Sequence, residues 1–384
     1  MPTVHLVAGT RPEAIKLAPL HTELQKLGLT THFVASGQHP TMVNDSLRAF
    51  GIAPDLVLEI DRGDGGQPTL MAALLTGLSQ MWTSERPEAV VVQGDTTTAL
   101  AGALAAFWAR LPVVHLEAGL RSHDLHSPFP EEANRKLIGQ IADLHLAPTT
   151  RARTNLLDDN VAPERIFVTG NTVVDAVLRI ASTVPEPDID PSKPRILLTM
   201  HRRESWGDPL DRVLDAVSQL LDEYPDLSVL CPTHPNPAVR QQVYRALDSH
   251  DRVTLTEPLP YEELVGVMKH STLIISDSGG IQEEAPSFRV PVLVVREVTE
   301  RVEAIEHGCA IAVGTDPNAL LQAARRLLDD PEARSSMTIH GNPFGDGAAA
   351  FRGARAIENL LNGGTELPPE FSTDVRKTTQ TVRN

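Results

Sequence analysis

Cysteine and aromatic residues are scarce in this chain of 384 residues. The two cysteines, Cys231 and Cys309, are too few for a disulfide framework or a cysteine-rich metal site. Both lie in apolar runs typical of strands, so we expect them to be inert core residues. Aromatic residues make up only 4% of the chain, which leaves leucine, valine, isoleucine and alanine to fill the core.

An excess of positive charge and long hydrophobic runs are also missing. The formal net charge is −16, which opposes binding to nucleic acid or to anionic lipid unless a local basic patch overrides it. No apolar run approaches the length that spans a bilayer, and the chain enters its first strand without a basic and apolar leader. The sequence therefore predicts a cytoplasmic enzyme with no nucleic-acid or membrane partner.

What the sequence does contain is an alternation of short β-rich runs with longer Ala- and Leu-rich segments of helical period. This alternation predicts the α/β class with parallel sheets. It pauses over residues 183–194, which hold four prolines. Because the length suits two cores, we predict two doubly wound, Rossmann-like domains, 1–182 and 195–361. We expect the last helix to pack back on the first domain and residues 362–384 to form a flexible tail.

Ligands of open α/β sheets bind beyond the carboxyl ends of the strands, so polar residues that follow strands carry the most functional weight. Residues 9–16 (GTRPEAIK) follow the first strand, and Gly9 permits a tight turn with Pro12 at the start of a helix. Backbone N–H groups in such a turn face an anion, and Arg11 and Lys16 would add charge suited to a diphosphate. An ordinary turn with two solvated cations is the alternative. The chain has no Walker loop or dinucleotide fingerprint, so no bound NAD is predicted.

Three segments of the first domain place carboxylates after strands. Asp95 lies in QGDTTT, where it could simply cap a helix. Glu117 lies in HLEAGLR, and Glu131 lies in PFPEEANR, where the helix dipole alone could favour it. Three such segments in one domain favour a shared cleft that holds the acid/base pair needed for proton transfer at carbon.

The second domain has its own set of polar strand ends. His201, beside arginines, and His234 each follow a strand, which favours phosphate binding over a purely structural role for either histidine. Their spacing is not that of a metal site, so no catalytic metal is predicted. In SDSGGIQEE, residues 278–280 supply backbone donors at a helix start and Glu284 follows a turn later. This arrangement predicts a phosphate on the glycines and a ribose on the acid. Arg301 is a further candidate ligand.

Nine motifs occur in order from near the start of the chain to about Gly314: GTRPEAIKLAP, QGDTTTALA, HLEAGLRS, PFPEEANR, VTGNTVVDA, TMHRRES, PTHPNPAVR, SDSGGIQEEAP and TERVEA. Together they closely resemble those of the non-hydrolysing UDP-N-acetylglucosamine 2-epimerase family. The resemblance implies a two-lobed fold of the glycosyltransferase B type, with the active site in the interdomain cleft, the uridine nucleotide on the second lobe, and a homodimer.

The resemblance also implies roles for individual residues. Asp95, Glu117, Glu131 and His201 match catalytic positions. The matching nucleotide-sugar ligands are Arg11, Lys16, Arg135, His234, Ser278, Gly279, Gly280, Glu284 and Arg301.

The implied reaction interconverts UDP-GlcNAc and UDP-ManNAc. The C2 proton of a hexose is not acidic, and without NAD to oxidise C3 the accessible route is elimination. A carboxylate removes the C2 proton as UDP leaves C1, and UDP re-adds to the resulting glycal with protonation from the other face. We expect Glu117 and Asp95 to transfer protons on opposite faces, Glu131 to orient or stabilise charge, and His201 to stabilise the departing phosphate.

Departures from the family pattern concern regulation more than catalysis. Gln93 stands where many members have histidine, which removes no proposed catalytic group. Many bacterial members bind a second UDP-GlcNAc as an activator, through a polar residue after a Gln-His pair and a basic residue before the next helix. Here Gln38-His39 is followed by Pro40 and Thr41, and residues 61–67 do not clearly supply the base. We therefore expect weak or absent activation.

Three alternatives stay open at this point. A hydrolysing 2-epimerase would release free ManNAc, a glycosyltransferase of the same fold would need an acceptor, and a sensor would bind UDP-GlcNAc without exchange at C2. The set of carboxylates argues against the sensor.

Overall fold

The chain, described here from a computed structural model, forms two compact units. The first lobe comprises Met1–Ala176 and the chain from Phe344 onward, and the second lobe comprises Val177–Pro343. The predicted linker 183–194 stays a prediction, since residues 187–189 and 191 lie outside the described part. The structure describes residues 1–60, 65–186, 190, 192–202, 205–297, 299–364 and 366–373.

The first lobe is built on a parallel sheet whose described strands follow the order β3-β2-β1-β4-β5-β6-β7. Its central strands are buried on both faces, which explains their continuous apolar runs, such as AVVVQ in β4. The strands are β1 (Thr3–Ala8), β2 (Thr30–Ala35), β3 (Leu56–Val57), β4 (Ala89–Gln93), β5 (Val113–Leu116), β6 (Leu144–Ala147) and β7 (Ile166–Val168).

Helices connect these strands, and several begin at residues that cap them. Thr10 forms a capping box with Glu13 at the start of α1, and the hydroxyls of Thr96 and Thr149 accept hydrogen bonds from the first turns of α4 and α6. The helices are α1 (Arg11–Lys26), α2 (Pro40–Arg48), α3 (Gln67–Ser84), α4 (Thr97–Trp108), α5 (Glu131–Ile141) and α6 (Thr150–Asp158). The next helix, α7 (Thr172–Ala181), begins in the first lobe, and its residues from Val177 onward belong to the second.

The second lobe repeats the same plan with the strand order β10-β9-β8-β11-β12-β13. Its strands are β8 (Arg195–Thr199), β9 (Ser228–Pro232), β10 (Val253–Thr256), β11 (Leu273–Ser276), β12 (Val292–Val294) and β13 (Ala310–Ala312). Its helices are α8 (Asp208–Glu223), α9 (Pro237–Leu247), α10 (Tyr261–Lys269), α11 (Gly279–Glu284), α12 (Val302–Glu306), α13 (Pro317–Asp329) and α14 (Pro331–Ser336).

Both sheets confirm the predicted doubly wound, Rossmann-like α/β class. In each one the strand order reverses at a single point, between β1 and β4 in the first lobe and between β8 and β11 in the second. Such a switch point opens a crevice beyond the carboxyl ends of the strands, where ligands bind. The position of the active site in a cleft between the two domains stays a prediction.

The last helix, α15 (Ala349–Asn362), belongs to the first lobe, where it packs against α1. Its first residue carries no capping side chain. Instead, the carboxylate of Asp175 accepts hydrogen bonds from the backbone N–H groups of Ala349 (3.2 Å) and Ala350 (2.9 Å). A carboxylate from α7, distant in sequence, therefore caps this helix.

The segment after α15 is not wholly the loose tail that its polar composition predicts. Phe371 is 93% buried in a small apolar cluster with Leu156 and Val168. Its N–H donates to the carbonyl of Val168 (2.9 Å), and the carboxylate of Glu370 accepts from the N–H of Val168 (3.0 Å). Because β7 is an edge strand, these contacts satisfy backbone groups that the edge would otherwise expose. Residues 374–384 lie outside the described part.

The described helices include none whose length and hydrophobicity suit a membrane span.

Candidate active site

Glu117 is held at the carboxyl end of β5 by three donors. The Lys16 ammonium, the Gln93 amide (3.1 Å) and the Asn171 amide (3.2 Å) all donate to its Oε2 atom. Both Lys16 and Glu117 are more than 90% buried, so the pair is a desolvated salt bridge. Glu117 also has a φ angle of 62°, in the left-handed region that non-glycine residues rarely adopt. Strain of this kind, held by surrounding contacts, is typical of functional sites.

Asp95 follows the adjacent strand β4 and is also fixed by several contacts. Its carboxylate accepts from the Arg135 guanidinium (2.8 Å), and its carbonyl accepts from the Asn134 amide (2.7 Å). The helix α4 is capped by Thr96, whose hydroxyl accepts from the N–H of Ala99 (3.0 Å). The interpretation of Asp95 as a simple helix cap is therefore wrong, because the neighbouring threonine performs that role.

Asp95 and Glu117 follow adjacent strands at the same edge of the sheet. Gln93 of β4 pairs with Leu116 of β5; Glu117 directly follows Leu116, and Asp95 is two residues after Gln93. Neighbouring strands lie about 4.8 Å apart. The ring of His115 further joins the two turns, since its Nε2 atom lies 2.8 Å from the carbonyl oxygen of Gly94. The structure thus brings these two predicted residues together.

The two acids at the start of α5 have different environments. Glu132 is fully buried and accepts from the N–H groups of Ser122 (3.0 Å) and His123 (3.2 Å) and from Arg135 (3.1 Å). Glu131 is partly exposed, and among the described residues nothing forms a hydrogen bond or ion pair with its carboxylate. Glu132 is therefore a structural anchor of the loop and of Arg135, whereas Glu131 is accessible to a ligand.

The turn after β1 carries Arg11, which is partly buried, and Lys16 lies one turn further along α1. Glu13 stabilises this turn, since its Oε2 atom accepts from the N–H groups of Gly9 (2.9 Å) and Thr10 (2.7 Å). Burial raises the pKa of the Glu13 carboxyl to about 7, although hydrogen bonds from Thr96, Gly9 and Thr10 oppose the shift.

In the second lobe, His201 follows β8 at the switch point and its side chain is exposed. Its backbone N–H donates to the carboxylate of Asp277 (2.9 Å), as does that of Arg202 (2.9 Å). Asp277 follows β11 and is completely buried, so it fixes the turn that presents His201. The ring of His234 lies 6.0 Å from the His201 ring and 5.3 Å from that of Trp206. The two predicted histidines therefore lie together.

The glycine-rich turn after β11 lies at the same edge of the sheet. Gly279 begins α11, and the Arg301 guanidinium packs so closely that a β-carbon on this glycine would lie 3.2 Å from its central carbon. Arg301 is oriented by the carboxylates of Glu283 (2.9 Å) and Glu300 (2.8 Å). One turn into α11, Glu284 lies 3.4 Å from the hydroxyl of Tyr261. The remaining residues of the predicted ligand set, Ser278 and Gly280, lie in this same turn.

Four residues that hold the site were not identified from the sequence: Glu13, Asn171, Glu132 and Asp277. Glu13, Asn171 and Asp277 each lie within a motif but contact another motif far along the chain, whereas Glu132 anchors residues within 10 positions of itself. Asn171, for example, reaches Glu117 across 54 positions. Motif order alone gives no signal of such pairing.

Among the described residues, no group of three or more histidine, cysteine, aspartate or glutamate side chains is placed to hold a metal ion. Cys231 and Cys309 are both buried, and burial raises the pKa of the Cys231 thiol to about 12 and that of Cys309 to about 11. Cys231 lies in β9, whereas Cys309 precedes β13.

The chain matches the family model described as UDP-N-acetylglucosamine 2-epimerase over residues 22–358. It is 44% identical to a UDP-N-acetylglucosamine 2-epimerase of Yersinia pestis over 366 residues, which cover 92% of this chain and 97% of the relative. The corresponding protein of Escherichia coli K12 is 43% identical with the same coverage.

Solved structures show the same similarity in three dimensions. A co-structure of S. aureus MnaA with UDP has a TM-score of 0.89 and 43% identity, covering 97% of this chain and all of that one. The UDP-GlcNAc 2-epimerase of Neisseria meningitidis, bound to UDP-GlcNAc, has a TM-score of 0.87 and 38% identity, covering 94% and 99%. A glycosyltransferase of kitacinnamycin, at 13% identity and a TM-score of 0.62, shares the fold alone. These neighbours confirm the glycosyltransferase B type of fold, and the sequence match establishes that the chain belongs to the UDP-N-acetylglucosamine 2-epimerase family.

Proposed function

We propose that this protein is a non-hydrolysing UDP-N-acetylglucosamine 2-epimerase that interconverts UDP-GlcNAc and UDP-ManNAc. The observation that carries the proposal is the pair of carboxylates, Asp95 and Glu117, fixed at the ends of adjacent strands by Arg135 and Lys16. Inversion at C2 requires proton transfer on two faces of the sugar, and this pair offers two acid/base groups at neighbouring strand ends. The relatives that carry the epimerase name support the same activity.

The proposed route is elimination followed by addition. As the C1–O bond to UDP breaks, a carboxylate of the first lobe accepts the C2 proton, and the electron pair of the C–H bond forms the double bond of 2-acetamidoglucal. UDP then adds back at C1 while C2 is protonated from the opposite face. We assign the two proton transfers to Glu117 and Asp95, and an orienting or charge-stabilising role to the accessible carboxylate of Glu131.

The second lobe supplies the groups for UDP in this proposal. Negative charge develops on the leaving diphosphate, and preorganised donors stabilise such charge strongly in a water-poor site. His201 is assigned to the departing phosphate because its turn is fixed by Asp277. Glu284 is assigned to the ribose. The other proposed ligands on the second lobe are His234, Ser278, Gly279, Gly280 and Arg301. On the first lobe we propose Arg11, Lys16 and Arg135 as further ligands of the nucleotide sugar.

No nicotinamide cofactor and no metal ion is required by this route. Elimination needs no oxidation at C3, and the chain contains no dinucleotide fingerprint after a strand. We expect full activity of enzyme that has been dialysed against a chelator and assayed without added NAD.

A single experiment tests the reaction and separates it from its alternatives. The purified protein is incubated with UDP-GlcNAc in D2O and followed by NMR. We expect a mixture of UDP-GlcNAc and UDP-ManNAc, with deuterium at C2 of both. Stoichiometric release of ManNAc and UDP would instead identify a hydrolysing enzyme. Binding without deuterium incorporation would identify a sensor or a transferase that needs an acceptor.

The role of Glu117 is tested by the Glu117→Gln variant. We expect C2 exchange to fall by about 10²- to 10⁴-fold, the usual contribution of a general acid or base, while UDP affinity stays close to that of the wild type. Asp159→Asn is the matched control, because Asp159 is a carboxylate of the same lobe that pairs with Arg121 and Lys136. Normal exchange in Glu117→Gln would refute the assignment.

We also propose that UDP-GlcNAc is not needed as an activator. The proposal is supported by the sequence after Gln38-His39, where Pro40 and Thr41 depart from the pattern that the family resemblance implies. The other segment expected to hold an activator is residues 61–67, of which residues 61–64 lie outside the described part. The amide oxygen of Gln38 accepts from the Thr98 hydroxyl (2.7 Å). Pure UDP-ManNAc should therefore be converted without a lag. A requirement for traces of UDP-GlcNAc would contradict this.

A homodimer is proposed as the working form. At the end of α4, Phe107 is 51% exposed and Trp108 is 63% exposed, and on α5, which packs against α4, Leu137 is 54% exposed. An apolar patch of this kind on a folded lobe marks a protein contact, and a second copy of the chain is the partner that we expect. Light scattering should give twice the chain mass of 41.7 kDa for the wild type. A monomer would refute the proposal.

A further inference from the structure

The carboxylate of Glu13 makes contacts that a helix cap does not explain. Within its own turn, Oε2 accepts from the N–H groups of Gly9 and Thr10 and from the hydroxyl of Thr10 (2.8 Å), which is the capping box of α1. The other oxygen, Oε1, accepts from the hydroxyl of Thr96 (2.5 Å), 83 positions away. Glu13 is 1% exposed, so this second contact is made inside the lobe.

With the Glu13 carboxyl ionised, the Thr96 hydroxyl is the donor in this contact, because a carboxylate can only accept. The Oγ1 atom of Thr96 accepts from the N–H of Ala99, so its own proton remains for donation, and the nearby acceptor is Glu13. A chain of three groups therefore runs from the first turn of α4 through Thr96 to the turn after β1. Such a buried chain holds both ends in one geometry.

This chain crosses the switch point of the sheet. Glu13 lies in the first turn of α1, just after β1, and Thr96 lies in the turn after β4, where it directly follows Asp95. The side chain of Asp95 is held from the α5 side by Arg135. The hydrogen bond from Thr96 to Glu13 holds the residue next to Asp95, and so restrains the backbone of Asp95 from the α1 side.

We propose that Glu13 is a positioning residue for the epimerisation, acting through Thr96 on Asp95. The inference rests on the proposed function. Asp95 must approach the C2 proton in a near-attack geometry, and a displacement of about 1 Å in such a group costs up to about 100-fold in rate. Loss of the hydrogen bond from Thr96 to Glu13 should therefore slow chemistry while leaving substrate binding largely intact.

The test uses substitutions at Thr96, which change the contact without altering any group assigned to catalysis or binding. Thr96→Ser keeps the hydroxyl and Thr96→Val removes it at the same volume. Thr149→Val is the matched control, because the Thr149 hydroxyl also caps a helix of the first lobe, accepting from the N–H of Ala152 (3.1 Å), but at α6. Both valine variants lose a helix cap, and only one loses the contact with Glu13.

For each protein, kcat and KM for UDP-GlcNAc are measured from the rate of C2 deuteration, and UDP affinity is measured by calorimetry. In Thr96→Val we expect kcat to fall about 10- to 100-fold, while KM and UDP affinity stay within about twofold of the wild type. In Thr96→Ser and Thr149→Val we expect kcat to stay near that of the wild type.

The outcomes separate this inference from the proposed function. Equal kcat in Thr96→Val and Thr96→Ser would overturn the positioning role while leaving the epimerase assignment intact. A loss of kcat in Thr149→Val equal to that in Thr96→Val would do the same, because loss of a helix cap alone would then explain the result. Absence of exchange in the wild-type protein would overturn the epimerase assignment and this inference with it.

Discussion

Histidines buried in the first sheet should make this protein sensitive to mild acid. His145 of β6 is completely buried and pairs in register with His115 of β5, their ring centroids 6.2 Å apart. Burial lowers the pKa of His145 to about 3, and the charges of His115, Arg121 and Arg165 act in the same direction.

The sign and size of the effect follow from proton linkage. The unfolded chain protonates His145 near its ordinary pKa of 6.5, whereas the folded protein does so only near 3. Between these values the unfolded state binds more protons, so folding stability is complete above pH 6.5 and falls as the pH drops through it. At about 1.4 kcal/mol per pH unit, lowering the pH from 7 to 5 costs about 2 kcal/mol through this residue alone.

The His145→Leu variant removes this proton site from the core. We expect the free energy of unfolding of the first lobe to fall by about 2 kcal/mol less between pH 7 and pH 5 than in the wild type. Urea unfolding followed by tryptophan fluorescence measures it, since Trp82 and Trp108 both lie in this lobe. His126→Gln, an exposed site, should leave the wild-type pH dependence unchanged. An equal loss of stability in His145→Leu and the wild type would refute the reasoning.

Two further substitutions test the structure that holds the site. Gly119→Ala should prevent stable folding of the first lobe, because Gly119 has a φ of 95° and an added β-carbon would lie 2.2 Å from the carbonyl oxygen of Ala152. A free energy of unfolding within about 1 kcal/mol of the wild type, measured by circular dichroism, would contradict this. Asp277→Asn should cost about 1 to 3 kcal/mol of stability and reduce kcat, because an amide replaces the carboxylate that accepts from the backbone of His201 and Arg202. Unchanged kcat and melting temperature in this variant would show that Asp277 does not hold the turn.

The sequence was sufficient to predict the class of fold and the polar segments, after strands, that hold the candidate site residues. Strand patterns such as VVHL and LIIS coincide with β5 and β11 because buried parallel strands need apolar residues on both faces. The polar segments after them, with Glu117 and Ser278, lie at the strand ends, as the rule for open sheets requires. Local pattern and local structure agree wherever the signal lies within one turn or one strand.

What the sequence did not reveal is pairing between distant positions. The strands β2 (TTHFVA) and β6 (LHLA) carry histidines that interrupt the apolar pattern. In the sheet each of them lies beside a histidine of the neighbouring strand, His32 beside His5 and His145 beside His115. The sequence predicts that Glu370 and Phe371 belong to a polar tail. In the structure both residues form hydrogen bonds with the backbone of Val168 in the edge strand β7.

The candidate site shows the same division. The sequence by itself determined which residue types are present after each strand and hence the kind of chemistry, carboxylates in the first lobe and phosphate ligands in the second. Only the tertiary structure decided the environment of each group: Glu117 against Lys16 and Asn171, and Asp95 against Arg135. The physical reason is that desolvation and hydrogen bonding depend on neighbours in space, which in these cases are 40 to 101 positions apart in the chain.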